Sequence, residues 1–170
     1  KDQASFETEA LSFQETFPDF QAINWVNREG VIKWVTPKKG NIGAIGLNLQ
    51  NHPVAGNVLE LARRSGKIKV TPPIDLAQGG RGIAAYLPLG KDTLEGFVNL
   101  VFRIDPLVKE TLGKNPTNPY LYSILDDGLP VYSRGQINYA NPLVVQRTLE
   151  VGNRVWTIDV MPAGGEFGVL

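Results

Sequence analysis

The sequence contains no cysteine, which excludes disulfide bonds and thiolate metal sites. It contains a single histidine, His52, and no cluster of His, Asp and Glu with metal-ligand spacing. Neither sign of charge is in excess, because 17 Lys and Arg balance 17 Asp and Glu. This balance excludes the broad basic field that holds nucleic acid or an anionic membrane surface. We therefore expect no metal or other cofactor and no nucleic-acid partner.

Long apolar runs are also missing. No stretch reaches about 18 apolar residues, the length of a membrane-spanning helix, and no signal peptide opens the chain. The hydrophobic fraction is nevertheless 42%, with three Trp, five Tyr and seven Phe, which indicates a globular core rather than disorder. A chain of 170 residues suits one domain, and we predict a single domain over residues 1–170.

Residues suited to catalysis are few. A serine triad would have to use His52, whose Asn-His-Pro setting is typical of a helix entry at the surface, and no serine lies in a G-x-S-x-G motif. Asp126 and Asp127 are adjacent and precede Gly128, which indicates a turn rather than an acid–base pair. We expect this segment not to be an enzyme, and a small hydrolase is the least supported function.

Hydrophobic periodicity predicts an α+β fold in which helices flank an antiparallel sheet, because short connections dominate. The first helix carries an apolar stripe of Phe6, Ala10, Phe13 and Phe17, which is typical of either a core face or a dimer seam. The predicted elements are a helix over 4–17, two strands within 22–37, a helix from 53 to about 65, strands near 67–76, 82–89 and 95–104, a short helix over 106–112, a loop at 114–119, a hairpin turning at 126–128 and a closing strand that contains Trp156.

The three strands between Val70 and Asp105 contain isolated polar side chains within apolar runs. Side chains alternate between the two faces of a strand, so most of these polar residues share one face with small residues. The phase of the first strand is interrupted by two prolines. The residues that share this face are Lys69, Thr71, Pro73, Asp75, Gly82, Ala84, Tyr86, Phe97, Asn99, Val101 and Arg103.

This mixed face predicts the floor of a small-molecule pocket, since such pockets are mostly apolar with a few fixed polar groups. A guanidinium would suit a ligand carboxylate, and an indole ring from the first strand pair would stack on a flat ligand. The alternative is the solvated side of a half-buried sheet. A bulky substitution at Thr71 is expected to abolish the ligand response without disturbing the fold. The predicted ligand-binding residues are Thr71, Asp75, Tyr86, Asn99, Arg103, Trp34 and Trp25.

An ordered set of segments resembles the CHASE family of extracytoplasmic sensor domains. KVTPPIDL is similar to the family's V-x-T-x-P-x-x-L segment, and GIAAYLP is similar to the G-x-x-x-Y/F-x-P strand that follows it. The resemblance spans roughly residues 17 to 162. The other segments that carry it are FPDFQAINWVNREGVIKWVTP, GNIGAIGLNL, LARRSGK, GFVNLVFRIDPL and VGNRVWTIDVMP.

The resemblance implies a PAS-like fold and an extracytoplasmic small-molecule-sensing domain of a membrane-bound receptor of the histidine kinase or nucleotide cyclase type. It implies that Thr71 stands at a ligand-contacting position, that residues 1–18 are the remnant of a longer helix, and that flanking membrane helices anchor a homodimeric receptor. The alternative that stays open is a ligand-free dimerisation or interaction module of such a receptor.

Overall fold

The computed structural model describes residues 2–18, 20–77, 79–113 and 119–164. The chain folds into two compact units, Lys1–Leu107 and Val108–Leu170. Each unit contains one antiparallel sheet, and three helices accompany the sheets within the described residues. The predicted α+β class, a PAS-like antiparallel sheet flanked by helices, is confirmed. The single domain over residues 1–170 stays a prediction.

The first unit is built on a six-stranded sheet with the order β2-β1-β6-β5-β3, in which β4 also pairs with β5. Helix α3 follows β6 directly and begins at the last residues of this unit. The element bounds are α1 Gln3–Thr16, β1 Phe20–Asn27, β2 Ile32–Thr36, α2 Ala55–Ser65, β3 Lys69–Val70, β4 Ile74–Asp75, β5 Arg81–Leu89, β6 Gly96–Arg103 and α3 Ile104–Leu112.

Helix α1 begins where the Asp2 carboxylate accepts a hydrogen bond from the Ser5 backbone N–H at 3.0 Å. Its predicted apolar stripe divides in two. Phe6 packs into the core against one face of the sheet, whereas Phe13 and Phe17 remain 43% and 50% exposed. The stripe is therefore a core face in its first half, and its second half is left partly uncovered.

Helix α2 covers the opposite face of the same sheet with its buried residues Val58, Leu59 and Ala62. The helix ends at Gly66, which has a left-handed backbone with a φ of 63°. The helix begins at Ala55, two residues after the start at Pro53 that the sequence predicts.

The register of the central strands places one polar residue from each of three strands side by side. Asn24 of β1 lies opposite Asn99 of β6, and Asn99 lies opposite Tyr86 of β5. Ala84 and Val101 form the next row on the same face. The shared face of Tyr86, Ala84, Asn99 and Val101 is as the alternation predicts, and it is buried rather than solvated.

The strand predicted over 67–76 is broken into β3 and β4, each two residues long. Both fragments pair with β5. Pro72 and Pro73 separate them, because a proline has no N–H to donate to the neighbouring strand. Thr71 lies between the two fragments.

The second unit contains a four-stranded sheet with the order β8-β7-β10-β9. The predicted hairpin turns at Asp127 and Gly128, whose φ values of 49° and 78° suit a tight two-residue turn. Strand β9 escaped prediction because nearly all of its residues are exposed and no apolar alternation marks it. Residues 114–118 of the predicted loop lie outside the described residues. The strand bounds are β7 Tyr120–Asp126, β8 Leu129–Arg134, β9 Val145–Val151 and β10 Arg154–Pro162.

Candidate functional site

A cavity of about 130 Å³ lies in the first unit, on the face of the sheet that α2 covers. Ten of its sixteen lining residues are aliphatic. The volume is close to the roughly 150 Å³ of an engineered cavity that holds benzene. The cavity therefore suits a ligand, or part of one, of about six to eight non-hydrogen atoms. Its polar lining residues are Asn24, Asn48, His52, Asp75, Tyr86 and Asn99.

Two buried asparagines meet at the floor of the cavity. Asn24 Nδ2 donates to Asn99 Oδ1 at 2.8 Å, and Asn99 Nδ2 donates to the Ala85 carbonyl at 3.2 Å. Asn24 is 0% exposed, and its Oδ1 atom has no hydrogen-bond partner among the described residues. A buried acceptor left unsatisfied costs about 1–3 kcal/mol. A hydrogen-bond donor that entered the cavity and reached this oxygen would recover that cost.

Tyr86 lies beside Asn99 and is 1% exposed. Burial alone raises the pKa of its phenol above the usual value. The hydroxyl therefore stays protonated at neutral pH and can both donate and accept a hydrogen bond. It supplies a neutral polar group in an otherwise apolar wall.

His52 stands at the entrance to α2 and also lines the cavity. Its Nδ1 atom accepts hydrogen bonds from the backbone N–H groups of Val54 and Ala55 at 3.2 and 3.1 Å. An accepting Nδ1 requires the ring proton to be on Nε2, so the imidazole has one donor left. The sequence predicts His52 at a helix entry on the surface. The helix entry is present, but the His52 side chain is half-buried and lines the cavity.

Asp75 lines the cavity from β4, a short strand at the margin of the sheet. Its side chain is exposed, in contrast to the buried asparagines. Arg81 lies opposite it on β5 but does not line the cavity. Because paired residues of neighbouring strands face the same side, the Asp75 side chain shares the side of Arg81 and points away from the side of Gly82, Ala84 and Tyr86, so the predicted shared face does not hold for Asp75.

Thr71 is fully buried next to the cavity, but it is not one of the lining residues. Its backbone N–H donates to the Ala84 carbonyl at 2.9 Å, and its Oγ1 accepts from the Ala84 N–H at 3.0 Å. Pro72 and Pro73 interrupt the backbone hydrogen bonding between this strand and β5. The Thr71 hydroxyl supplies the acceptor that the Ala84 N–H would otherwise find on the backbone. Thr71 holds the wall of the cavity in place.

The structure does not bring the remaining predicted residues to this cavity. Arg103 lies at the end of β6, opposite Gly82, and is not in the lining. Trp25 and Trp34 lie on the other face of the sheet, where they stack on each other with ring centroids 5.6 Å apart. Because alternate residues of a strand face opposite ways, Trp25 points away from the side to which Asn24 points. The predicted stacking of either indole on a ligand in this cavity is therefore not supported.

Three polar lining residues, Asn24, Asn48 and His52, were not among those predicted from the sequence. Asn24 carried the same signal as Asn99, an isolated amide within an apolar strand, and could have been found by it. Asn48 and His52 lie outside the strands, where no apolar periodicity indicates which residues face the interior.

A second crevice, of about 240 Å³, lies between α1 and the opposite face of the sheet. Glu9 is the one polar residue among the eight described residues that line it; the others are apolar, including Phe6 and Phe13. It is larger than the first cavity but lacks converging polar groups that could orient a ligand. We therefore assign the candidate site to the first cavity.

Within the described residues, no helix is long and apolar enough to cross a membrane. Among the same residues, no group of three or more His, Asp or Glu side chains is placed to hold a metal ion.

The chain matches the family model of the CHASE domain over residues 1–132. No curated protein sequence matches it. Among solved structures it resembles an extracellular ligand binding receptor from Desulfohalobium retbaense, with 13% identity and a TM-score of 0.68. The match covers 94% of this chain and 33% of that one, so this chain spans about a third of the receptor's length.

Two further structures have the same fold. The ligand binding domain of the Pseudomonas aeruginosa amino acid chemoreceptor PctB, in complex with L-Arg, is 10% identical with a TM-score of 0.66, over 99% of this chain and 82% of that one. The extracellular domain of a putative histidine kinase is 9% identical with a TM-score of 0.60, over 92% of this chain and 73% of that one.

Proposed function

The chain belongs to the CHASE domain family, and we propose that the cavity lined by Asn24, Tyr86 and Asn99 is its ligand site. CHASE domains are extracellular sensor domains of membrane receptors, so the sensing function and the extracytoplasmic location predicted from the sequence are confirmed. The observation that carries the proposed site is the unpartnered Oδ1 of fully buried Asn24 beside an apolar cavity. Pockets that bind small molecules combine apolar walls with a few such polar groups.

The site is expected to act by coupling ligand binding to the elements around it. His52 precedes α2 and accepts from the N–H of Ala55 in its first turn, and Asp75 belongs to a strand of only two residues that borders the cavity. A ligand that contacts these groups stabilises the conformation in which they converge. It shifts the receptor only by the difference in its affinity for the two states.

Removing the Tyr86 hydroxyl tests the site directly. In Tyr86→Phe we expect the dissociation constant of the ligand to rise about tenfold, because one hydrogen bond worth roughly 1.4 kcal/mol is lost. The fold should be retained, since phenylalanine keeps the buried aromatic ring of Tyr86 and removes only its hydroxyl. A thermal-shift screen of amino acids, amines, carboxylates and purines would find the ligand, and calorimetry would compare its affinity for the two proteins.

The matched control is Tyr132→Phe, a half-buried tyrosine of the second unit that stacks on Tyr122. It should leave the ligand affinity unchanged. A ligand at about 100 times its dissociation constant adds roughly 2.7 kcal/mol of stability, well within the range of a thermal shift. If every ligand that stabilises the wild type bound Tyr86→Phe equally well, the proposed site would be wrong.

The output of the parent protein is a further part of the proposal. We place a histidine kinase or nucleotide cyclase on the cytoplasmic side, joined through flanking membrane helices. The family membership and the similar extracellular domain of a putative histidine kinase support this arrangement. The gene sequence on either side of the segment tests it, since soluble flanks without a membrane helix would contradict it.

Dimerisation through α1 is the second candidate function, and the exposed half of the apolar stripe favours it. Phe17 is 50% exposed and Phe13 is 43% exposed, so each ring keeps a large accessible surface although the two ring centroids lie 4.8 Å apart. Association of two copies would bury these rings.

We expect a concentration-dependent monomer–dimer equilibrium in sedimentation velocity, and in Phe17→Ser a dissociation constant of the dimer about tenfold higher, from roughly 1.4 kcal/mol of lost apolar burial. Ser12→Ala, a change at an exposed position of the same helix, is the control. A wild-type chain that stays monomeric at every concentration would contradict this candidate.

A further inference from the structure

We infer that strand β9 is an interaction surface at which a second copy of this chain adds its own β9, antiparallel, to the sheet of the second unit. This surface is separate from the ligand site, which lies in the first unit. An open strand edge presents unpaired backbone N–H and C=O groups that a further strand can bind. The edges of the two sheets differ in how far they are open.

Both edges of the sheet in the first unit are interrupted. At one edge, the segment after β2 folds back onto the start of that strand: Gly46 N–H donates to the Ile32 carbonyl at 2.8 Å, and Ile32 N–H donates to the Leu47 carbonyl at 3.0 Å. At the other edge, Pro72 and Pro73 divide the strand into two fragments of two residues each. Neither edge offers a continuous open strand.

The two edges of the sheet in the second unit differ from each other. Strand β8 contains Pro130, and its register with β7 shifts between Ile124 and Leu125. Strand β9 pairs with β10 in one unbroken register over seven residues and contains neither proline nor glycine. Six of those seven residues are exposed, and β10 is the one strand that pairs with β9 among the described residues. Among the described strands, β9 is therefore the long open edge.

The sequence of β9 is complementary to itself in an antiparallel pair centred on Thr148, which uses all seven residues of each strand. This register places no two charges of the same sign opposite each other. A pair centred on Arg147 or on Glu150 would place that residue opposite its own copy, and like charges directly opposite are destabilising. The opposed residues in the Thr148 register are Thr148 with Thr148, Val145 with Val151, Gln146 with Glu150, and Arg147 with Leu149.

Pairing also covers apolar surface that the sheet leaves open. Val145 and Leu149 are 48% and 50% exposed, and each gains an opposed side chain from the second copy. The edge is screened at one point, where Arg147 Nη1 donates to the Gln146 carbonyl at 2.8 Å in an exposed hydrogen bond. Such a bond contributes little net free energy, so a second strand can displace it.

Single-cysteine variants test the register, because the chain contains no cysteine of its own. Directly opposed residues of an antiparallel pair have Cα atoms about 4.5–5.5 Å apart, which suits a disulfide. Under mild oxidation of the whole chain, we expect Thr148→Cys to form a disulfide-linked dimer. Ser133→Cys, at an exposed position of β8, is the control and should form no cross-link. Equal cross-linking of the two variants would indicate random collision and overturn the inference.

Charge substitutions at the centre of the pair give a second measurement. Thr148→Lys and Thr148→Glu each place like charges opposite each other, so each alone should raise the dissociation constant of the dimer about tenfold in sedimentation velocity. An equimolar mixture should recover the wild-type value, because the two introduced charges then have opposite signs. A mixture that dissociates as readily as either variant alone would overturn the inference, as would a Thr148→Cys chain that does not cross-link. Phe17→Ser should leave the Thr148→Cys cross-link unchanged, which separates this contact from dimerisation through α1.

Discussion

Replacing Thr71 with valine is expected to lower the free energy of unfolding by about 1–3 kcal/mol, because it leaves the buried N–H of Ala84 without an acceptor. Valine has nearly the shape of threonine, so the loss isolates the hydroxyl from packing. Thr71 is 0% exposed, and its Oγ1 accepts from Ala84 N–H at 3.0 Å. This expectation differs from the one drawn from the sequence, in which a substitution at Thr71 spares the fold.

Chemical denaturation measures the effect, and Thr71→Ser is the matched control. Serine keeps the acceptor and loses one methyl group, so we expect it to cost about 1 kcal/mol or less. Ala84 lines the cavity, so ligand affinity should fall with Thr71→Val even though Thr71 is not in the lining. A Thr71→Val protein as stable as the Thr71→Ser protein would show that the hydroxyl does not hold β5.

The largest loss of stability is expected in the second unit, from Arg154→Met. Asp126 is 0% exposed, and both of its carboxylate oxygens accept from Arg154 Nε, at 2.8 and 2.6 Å. Removing the cation leaves a buried carboxylate without a counter-charge, which costs about 3–5 kcal/mol. Methionine retains most of the apolar volume of the arginine stem, so the loss reports the charge rather than a void.

Trp156 pairs with Asp126 across the sheet, and its fluorescence is a reporter for this unit. We expect its unfolding transition to move to a lower denaturant concentration in Arg154→Met. Asp127→Asn is the control, because Arg154 also reaches Asp127, at 3.1 Å, but that side chain is 70% exposed. An exposed ion pair contributes at most about 1 kcal/mol. Equal effects of the two substitutions would contradict the importance of the buried pair.

Part of the candidate site was predictable because strand alternation is local. Tyr86 and Asn99 were placed on one face from their own strands, and the register then put them opposite each other. The family membership was also readable, since ordered short segments persist where overall identity to the solved structures is low. Asp75 borders the cavity, but its side chain faces the other side of the sheet, because two prolines break the alternation before it.

Other parts required the three-dimensional arrangement. His52 enters the lining through the way α2 packs over the sheet. Trp25 and Trp34 looked like ligand-stacking rings, yet they stack on each other beneath α1. Both faces of the sheet carry a cavity, and which of them gathers converging polar groups depends on how the strands pair and where each helix lies, which no local pattern encodes.

By itself the sequence determined most of the order of helices and strands, though not β9, together with the absence of disulfides, the family and the face shared by Tyr86 and Asn99, because composition and periodicity are properties of neighbouring residues. Only the tertiary structure decided that this face is buried, that Asn24 presents an unpartnered oxygen beside the cavity, and that Thr71 supports the wall instead of lining it. These features follow from which strands pair and which helix covers them, and such contacts join residues far apart in the chain.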